Sequence, residues 1–120
     1  MTIFSQILIA LVVLLHCYFL VLEMFLWTRP IGLRTFNQNL EKANITKVLA
    51  ANQGLYNGFL AAGLLWGLFN PDPVFAKQIK IFFLFCVIIA GIFGSLTASK
   101  RIIYIQAVPA ALAIITVFIA

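Results

Sequence analysis

Charge is what this sequence has least of. Acidic residues number three, Glu23, Glu41 and Asp72, and charged residues of both signs make up 9% of the 120, where a soluble domain carries about 25%. With 64% of the residues hydrophobic, a soluble fold of this length could not hide its apolar surface. The composition points to a membrane protein, and the length to a single domain over residues 1–120. Histidine occurs once, at His16, and cysteine twice, at Cys17 and Cys86. One histidine, no HExxH, no CxxC and a single carboxylate inside the apolar runs are too few ligands for a metal site. Both cysteines fall within apolar runs, where free Cys behaves as a small hydrophobe, so no disulfide framework is expected. Glycine-rich phosphate loops are missing, and the only aspartate, Asp72, sits in a turn far from His16, which leaves no Ser/His/Asp set. These absences predict no cofactor and lean away from an enzyme.

The net charge of +5 does not indicate nucleic acid, because the basic residues stand singly or in pairs at the ends of apolar runs, where they meet anionic headgroups. What fills the chain instead is long apolar runs. They predict four helices, over about 3–27, 46–69, 73–98 and 102–119. The fold expected is an all-α integral membrane four-helix bundle, antiparallel and up-down, with short loops. A signal peptide is rejected for the first run: it has no basic start, it is too long, and it lacks a small-residue cleavage site. Thr28 to Thr46 is the one extended polar stretch and reads as a loop. Arg29-Pro30 ends the first helix, and Leu33, Phe36 and Leu40 recur at amphipathic spacing for a short interfacial piece. The second helix then starts between Asn39 and Thr46, with Asn44-Ile45-Thr46 read as a cap rather than a glycosylation site. Asn70-Pro71-Asp72-Pro73 makes a tight turn, Asp72 capping and Pro73 opening the third helix. Lys and Arg in the first and third connections outnumber Lys77 and Lys80, which predicts both termini outside a cytoplasmic membrane.

The polar residues inside these runs are the candidates for function. His16 and Glu23 are seven residues apart on one helix, nearly on one face and roughly 10.5 Å apart along the axis. Neither is cheap in lipid. On the second helix Asn52, Gln53, Tyr56 and Asn57 span about 140° of surface, opposite a small-residue seam through Ala50, Gly54, Gly58 and Ala62 that lets another helix approach closely. The His16/Glu23 face is expected to meet the Asn52/Tyr56 stripe, the alternative being a Glu23–Arg29 pair. Helix three has seams of its own, at Ala90, Gly94 and Ala98 and at Gly91, Ser95 and Ser99. In the fourth helix Gln106 and Pro109 stand out, because Pro109 frees the carbonyl of Ile105 and kinks the helix. Against all this, Asn, Gln and Tyr in membrane helices also tie helices together by hydrogen bonds worth about 0.6 kcal/mol each.

The segments HCYFLVLEMFLW, Pro30 to Phe36 and above all KVLAANQGLYNGFLAAGLLW resemble those of an uncharacterised family of small bacterial four-helix membrane proteins, a domain of unknown function. The resemblance implies a four-helix fold in the cytoplasmic membrane and no particular activity. The leading expectation is a membrane-embedded site for a small apolar molecule or lipid between the first two helices, built from His16, Glu23, Asn52, Gln53, Tyr56, Asn57 and Gln106. Three alternatives stand beside it: a proton-coupled transporter working as a homo-oligomer, a lipid-modifying enzyme using His16 and Glu23, and an assembly partner in the lipid bilayer.

Overall fold

The computed structural model describes residues 2–97, 101 and 103–119. Among them every regular element is helical: α1 (Ile3–Met24), α2 (Pro30–Thr35), α3 (Leu40–Phe69), α4 (Pro73–Thr97), a π-helix (Ile103–Ala107) and α5 (Val108–Ile119). The all-α class read from the sequence holds. Of the turn expected at Ser99, Lys100 and Arg101, the first two residues lie outside the described residues, as do Ala98, Ile102 and Ala120, while Arg101 is described and exposed. By internal packing the chain divides into two compact units, Met1–Leu15 with Leu60–Ala120, and His16–Phe59.

The first unit is built on an apolar cluster. Ile9, Val12, Leu64, Leu84, Val87, Ala110, Ala113 and Val117 are fully buried in it. The steps of three and four between Leu84, Val87 and Gly91 on α4, and between Ala110, Ala113 and Val117 on α5, are those of a single helix face. At Gly91 a Cβ would lie 2.9 Å from the backbone nitrogen of Ala107 and 3.2 Å from its Cα, so α4 passes directly against the π-helix backbone. Pro109 has no N–H to close an α-helical bond to Ile105, and the turn just before it is wound as π. The distortion expected at Pro109 thus takes the form of a wider turn, a single π turn set within a helix. The Asp72 cap forms as expected, its Oδ1 accepting from the N–H of Val74 at 3.0 Å and of Phe75 at 3.2 Å. Pro73 opens α4.

In the second unit, the segment expected to be a loop carries structure. Pro30 begins α2 and does not end α1, which stops at Met24; its fixed φ suits the first helical position, and Arg29 ahead of it is extended. Packing makes this six-residue helix possible. A Cβ on Gly32 would overlap the Leu26 carbonyl oxygen and lie 2.9 Å from its carbon and 3.0 Å from the Trp27 oxygen. Helix α2 closes with the N–H of Asn37 donating to the Arg34 carbonyl at 3.3 Å and that of Gln38 to Leu33 at 3.0 Å. This is the paired C-terminal motif that needs a left-handed residue. Asn37 supplies it, with φ 49°, and Asn tolerates that region better than most residues. Asn39 then caps α3 by accepting from the N–H of Lys42 at 2.8 Å. The second long helix therefore starts at Leu40, ahead of residue 46, and Thr46 is no cap. Its hydroxyl donates to the Lys42 carbonyl at 3.0 Å and accepts from Trp27 Nε1 at 3.1 Å. Trp27 also packs on Phe36, ring centres 4.8 Å apart.

Among the described helices, α1 and α4 are long and apolar enough to cross a membrane. Much of their surface is not covered by the chain itself. Phe82, Phe85, Ile89, Phe93 and Leu96, all exposed, follow one another at helical spacing along α4, forming a continuous apolar stripe.

Candidate functional site

The polar centre of the second unit is a carboxylate met by a carboxamide. Glu23 stands in the last turn of α1, and Asn57 lies midway along α3. Asn57 Nδ2 donates a short hydrogen bond to Glu23 Oε1. Two helices bring these groups together because the next α3 turn back is bare. A Cβ on Gly54 would lie 2.6 Å from Met24 Cγ, 3.1 Å from Glu23 Cβ and 3.2 Å from the Leu20 carbonyl oxygen. Gly58, one turn further on, faces the Leu20 side chain. Glycine at 54 sets the approach, and the approach puts Asn57 within reach of the carboxylate.

The geometry differs from the expected one in which side of α3 faces α1. The small-residue seam meets the Glu23 face at Gly54 and Gly58, with Ala43 and Ala50 buried on the same side of α3. Asn52 and Gln53 are exposed, and Tyr56, half exposed, lies against Phe59 with ring centres 6.1 Å apart. The physical reason is angular. On a helix, Asn57 falls about 60° from Gly54, whereas Asn52 and Tyr56 fall about 160° from it on either side. Asn57 is thus the edge of the polar stripe that belongs to the seam. Nor does Glu23 take up the alternative pairing with Arg29; its Oε1 accepts from Asn57.

His16 is fully buried and meets the edge of Phe19, ring centres 5.7 Å apart at 78°. Two helical turns separate it from Glu23, so the two occupy different depths of α1. Gln106 belongs to the first unit, buried in the π-helix. Of the seven candidates, the structure joins Glu23 and Asn57 by a direct bond.

Sequence reasoning missed a second polar feature. An open cleft of about 480 Å³ lies at the α2–α3 corner, lined by Leu33, Arg34, Asn37, Gln38, Asn39 and Lys42. The crowding of polar residues in RTFNQNLEK was its only trace in the sequence. Among the described residues no group of three or more His, Cys, Asp or Glu comes together to hold a metal ion.

No solved structure matches the chain. It is 36% identical over 121 residues to the "Uncharacterized protein YpaA" of Lactococcus lactis subsp. lactis (strain IL1403), an alignment that covers 98% of this chain and 99% of that protein. The model of the family described as "Protein of unknown function (DUF1304)" matches residues 10–118, which take in the Glu23–Asn57 pair, the α2 corner and the π-helix. The uncharacterised family whose likeness was read from the segments around Glu23 and Asn57 is thereby identified: the chain belongs to the DUF1304 family.

Proposed function

We propose that this is an integral protein of the cytoplasmic membrane, a four-helix bundle with α1, α3, α4 and α5 as its spans and both termini outside, and that Glu23 and Asn57 anchor a binding site for a small, partly apolar molecule or lipid. The membrane reading is supported by the uncovered apolar stripe on α4. In water such a patch is a liability, and acyl chains are the cover that suits its length. Washing membranes with alkaline carbonate tests it: the protein is expected to stay in the pellet, and its release would overturn the reading.

The observation that carries the binding site is the carboxylate–carboxamide pair itself. An ionisable group at membrane depth is costly, and such groups mark function by default. One amide donor fills only part of a carboxylate's acceptor capacity, so a ligand bearing a hydroxyl or amine can share Glu23. Its apolar part would run along the helices, and Asn52, Gln53 and Tyr56 offer further hydrogen bonds around α3. Glu23→Gln and Asn57→Ala should each abolish the thermal stabilisation given by any lipid or apolar amine that stabilises the wild type. Unchanged responses in both variants would sink the proposal.

A second reading has its own observation. Asn52, Gln53 and Tyr56 are exposed on α3, and polar side chains facing lipid are unfavourable unless another helix meets them. A second copy of the chain covering this stripe would satisfy them. Cross-linking through cysteine placed at Asn52 should then trap a dimer, and purely monomeric protein in lipid would remove this reading while leaving the Glu23 site untouched.

A further inference from the structure

The cleft at the α2–α3 corner is built from hydrogen-bond donors. Arg34 lies in the last turn of α2 and Lys42 in the first turn of α3, and the left-handed turn at Asn37 folds the chain so that both border the same cleft. Between them lie three carboxamides. The Asn39 Oδ1 is already committed to the Lys42 N–H, so that side chain offers its amide N–H groups. Gln38 Nε2 is buried and has no hydrogen-bond partner. A buried donor left unpaired is destabilising and calls for an explanation. Over residues 28–47 the chain carries four basic side chains, Arg29, Arg34, Lys42 and Lys47, against one acidic, the exposed Glu41. The positive end of the 30-residue α3 adds to the same field.

From these observations we infer that the corner is a site for a phosphate group, held by Arg34 and Lys42, with the Gln38 side chain turning its unpaired Nε2 into the cleft as the inner donor when the anion binds. Phosphate fits the chemistry because it presents several acceptor oxygens to charged donors and to the neutral amide, and Arg in particular matches its geometry. The phosphate can come from a lipid headgroup or from a soluble anion. Exposed Ile31 and Leu40 flank the segment and favour the lipid source. The site stands independently of the Glu23–Asn57 pair, and either can fail without the other.

The test uses the full chain purified in a neutral detergent, titrated with short-chain phosphatidylglycerol, short-chain phosphatidylcholine and inorganic phosphate. Saturable thermal stabilisation is expected from phosphatidylglycerol, weakening as salt is raised. The double variant Arg34→Gln/Lys42→Gln should keep the wild-type melting temperature without ligand and lose about tenfold or more in affinity, as two charge-assisted contacts disappear. Gln38→Leu is the sharper variant. It removes the orphan donor, so the ligand-free protein should melt at the same temperature or higher while phosphate binding weakens, a split that a purely structural role would not produce. Inorganic phosphate binding as tightly as the lipid would assign the site to a soluble source. Absence of saturable binding by either phosphatidylglycerol or inorganic phosphate, or equal binding by wild type and the double variant, overturns the proposal.

Discussion

The two units hold themselves together by different means. In the first, fully buried Leu, Val, Ile and Ala side chains interlock, α4 and the π-helix touch through the backbone at Gly91, and Ser5, Lys80 and Gln106 are buried as well. The second has few large buried side chains. It relies on close backbone approaches at Gly32 and Gly54 and on two side-chain hydrogen bonds, Asn57 to Glu23 and Trp27 to Thr46. In the first unit shape-filling side chains carry most of the packing, with a few buried polar groups beside them. Where backbones touch, there is no room for bulk, and polar groups at the margin of the contact supply direction. The Glu23–Asn57 bond and the polar α2–α3 corner both lie in the second unit.

Four substitutions can break or sharpen this contrast, each read as a change in unfolding stability in detergent. The largest effect is expected from Gly32→Ala. Alanine gains about 1 kcal/mol over glycine in helix propensity, but its Cβ collides with the Leu26 carbonyl, and strain of this kind costs about 3 kcal/mol or more. The collision wins, and the corner should open. Next comes Leu84→Ala in the first unit, where emptying a fully buried site should cost about 2–3 kcal/mol. If it cost less than the polar changes in the second unit, the contrast would fail.

Asn57→Leu comes third, at about 1 kcal/mol, the usual scale for hydrogen bonds between helices. Combined with Glu23→Leu in a double-mutant cycle, it should show coupling; additive effects would mean that the bond contributes nothing. The smallest effect is expected from Gly58→Ala. Its Cβ would meet only Leu20 Cδ1, at 2.8 Å, the end of a side chain that can turn aside. The propensity gain should offset that, leaving a change within about 0.5 kcal/mol. A large loss here would show that the whole seam, and not Gly54 alone, sets the approach.

What the sequence disclosed follows the range of the interaction. The long helices were legible because apolar runs announce them, and the Asp72-Pro73 start of α4 because its cap lies within four residues. Helix α2 was legible only in part: the spacing of Leu33, Phe36 and Leu40 pointed to a short amphipathic piece, but the helix lies over Pro30–Thr35, and a carbonyl six residues back is what receives Gly32. Asn57 was recognised as important but grouped with Asn52 and Tyr56. Composition marks all three as polar, and only the position of α1 separates the one at the seam from those facing outward. Gln38 gave no signal, since whether a buried amide has a partner depends on the completed corner.

The π-helix before Pro109 bears on how this chain can vary. A π turn holds one residue more than the α turn it replaces. A homologue one residue shorter within 103–107 could rewind the segment as ordinary helix and still present Ala110, Ala113 and Val117 to the same neighbours. Elsewhere along α4 or α5, losing one residue would rotate everything beyond it by about 100° and turn a buried face outward. The wide turn is therefore a place where this pair of helices can lose a residue without losing its core.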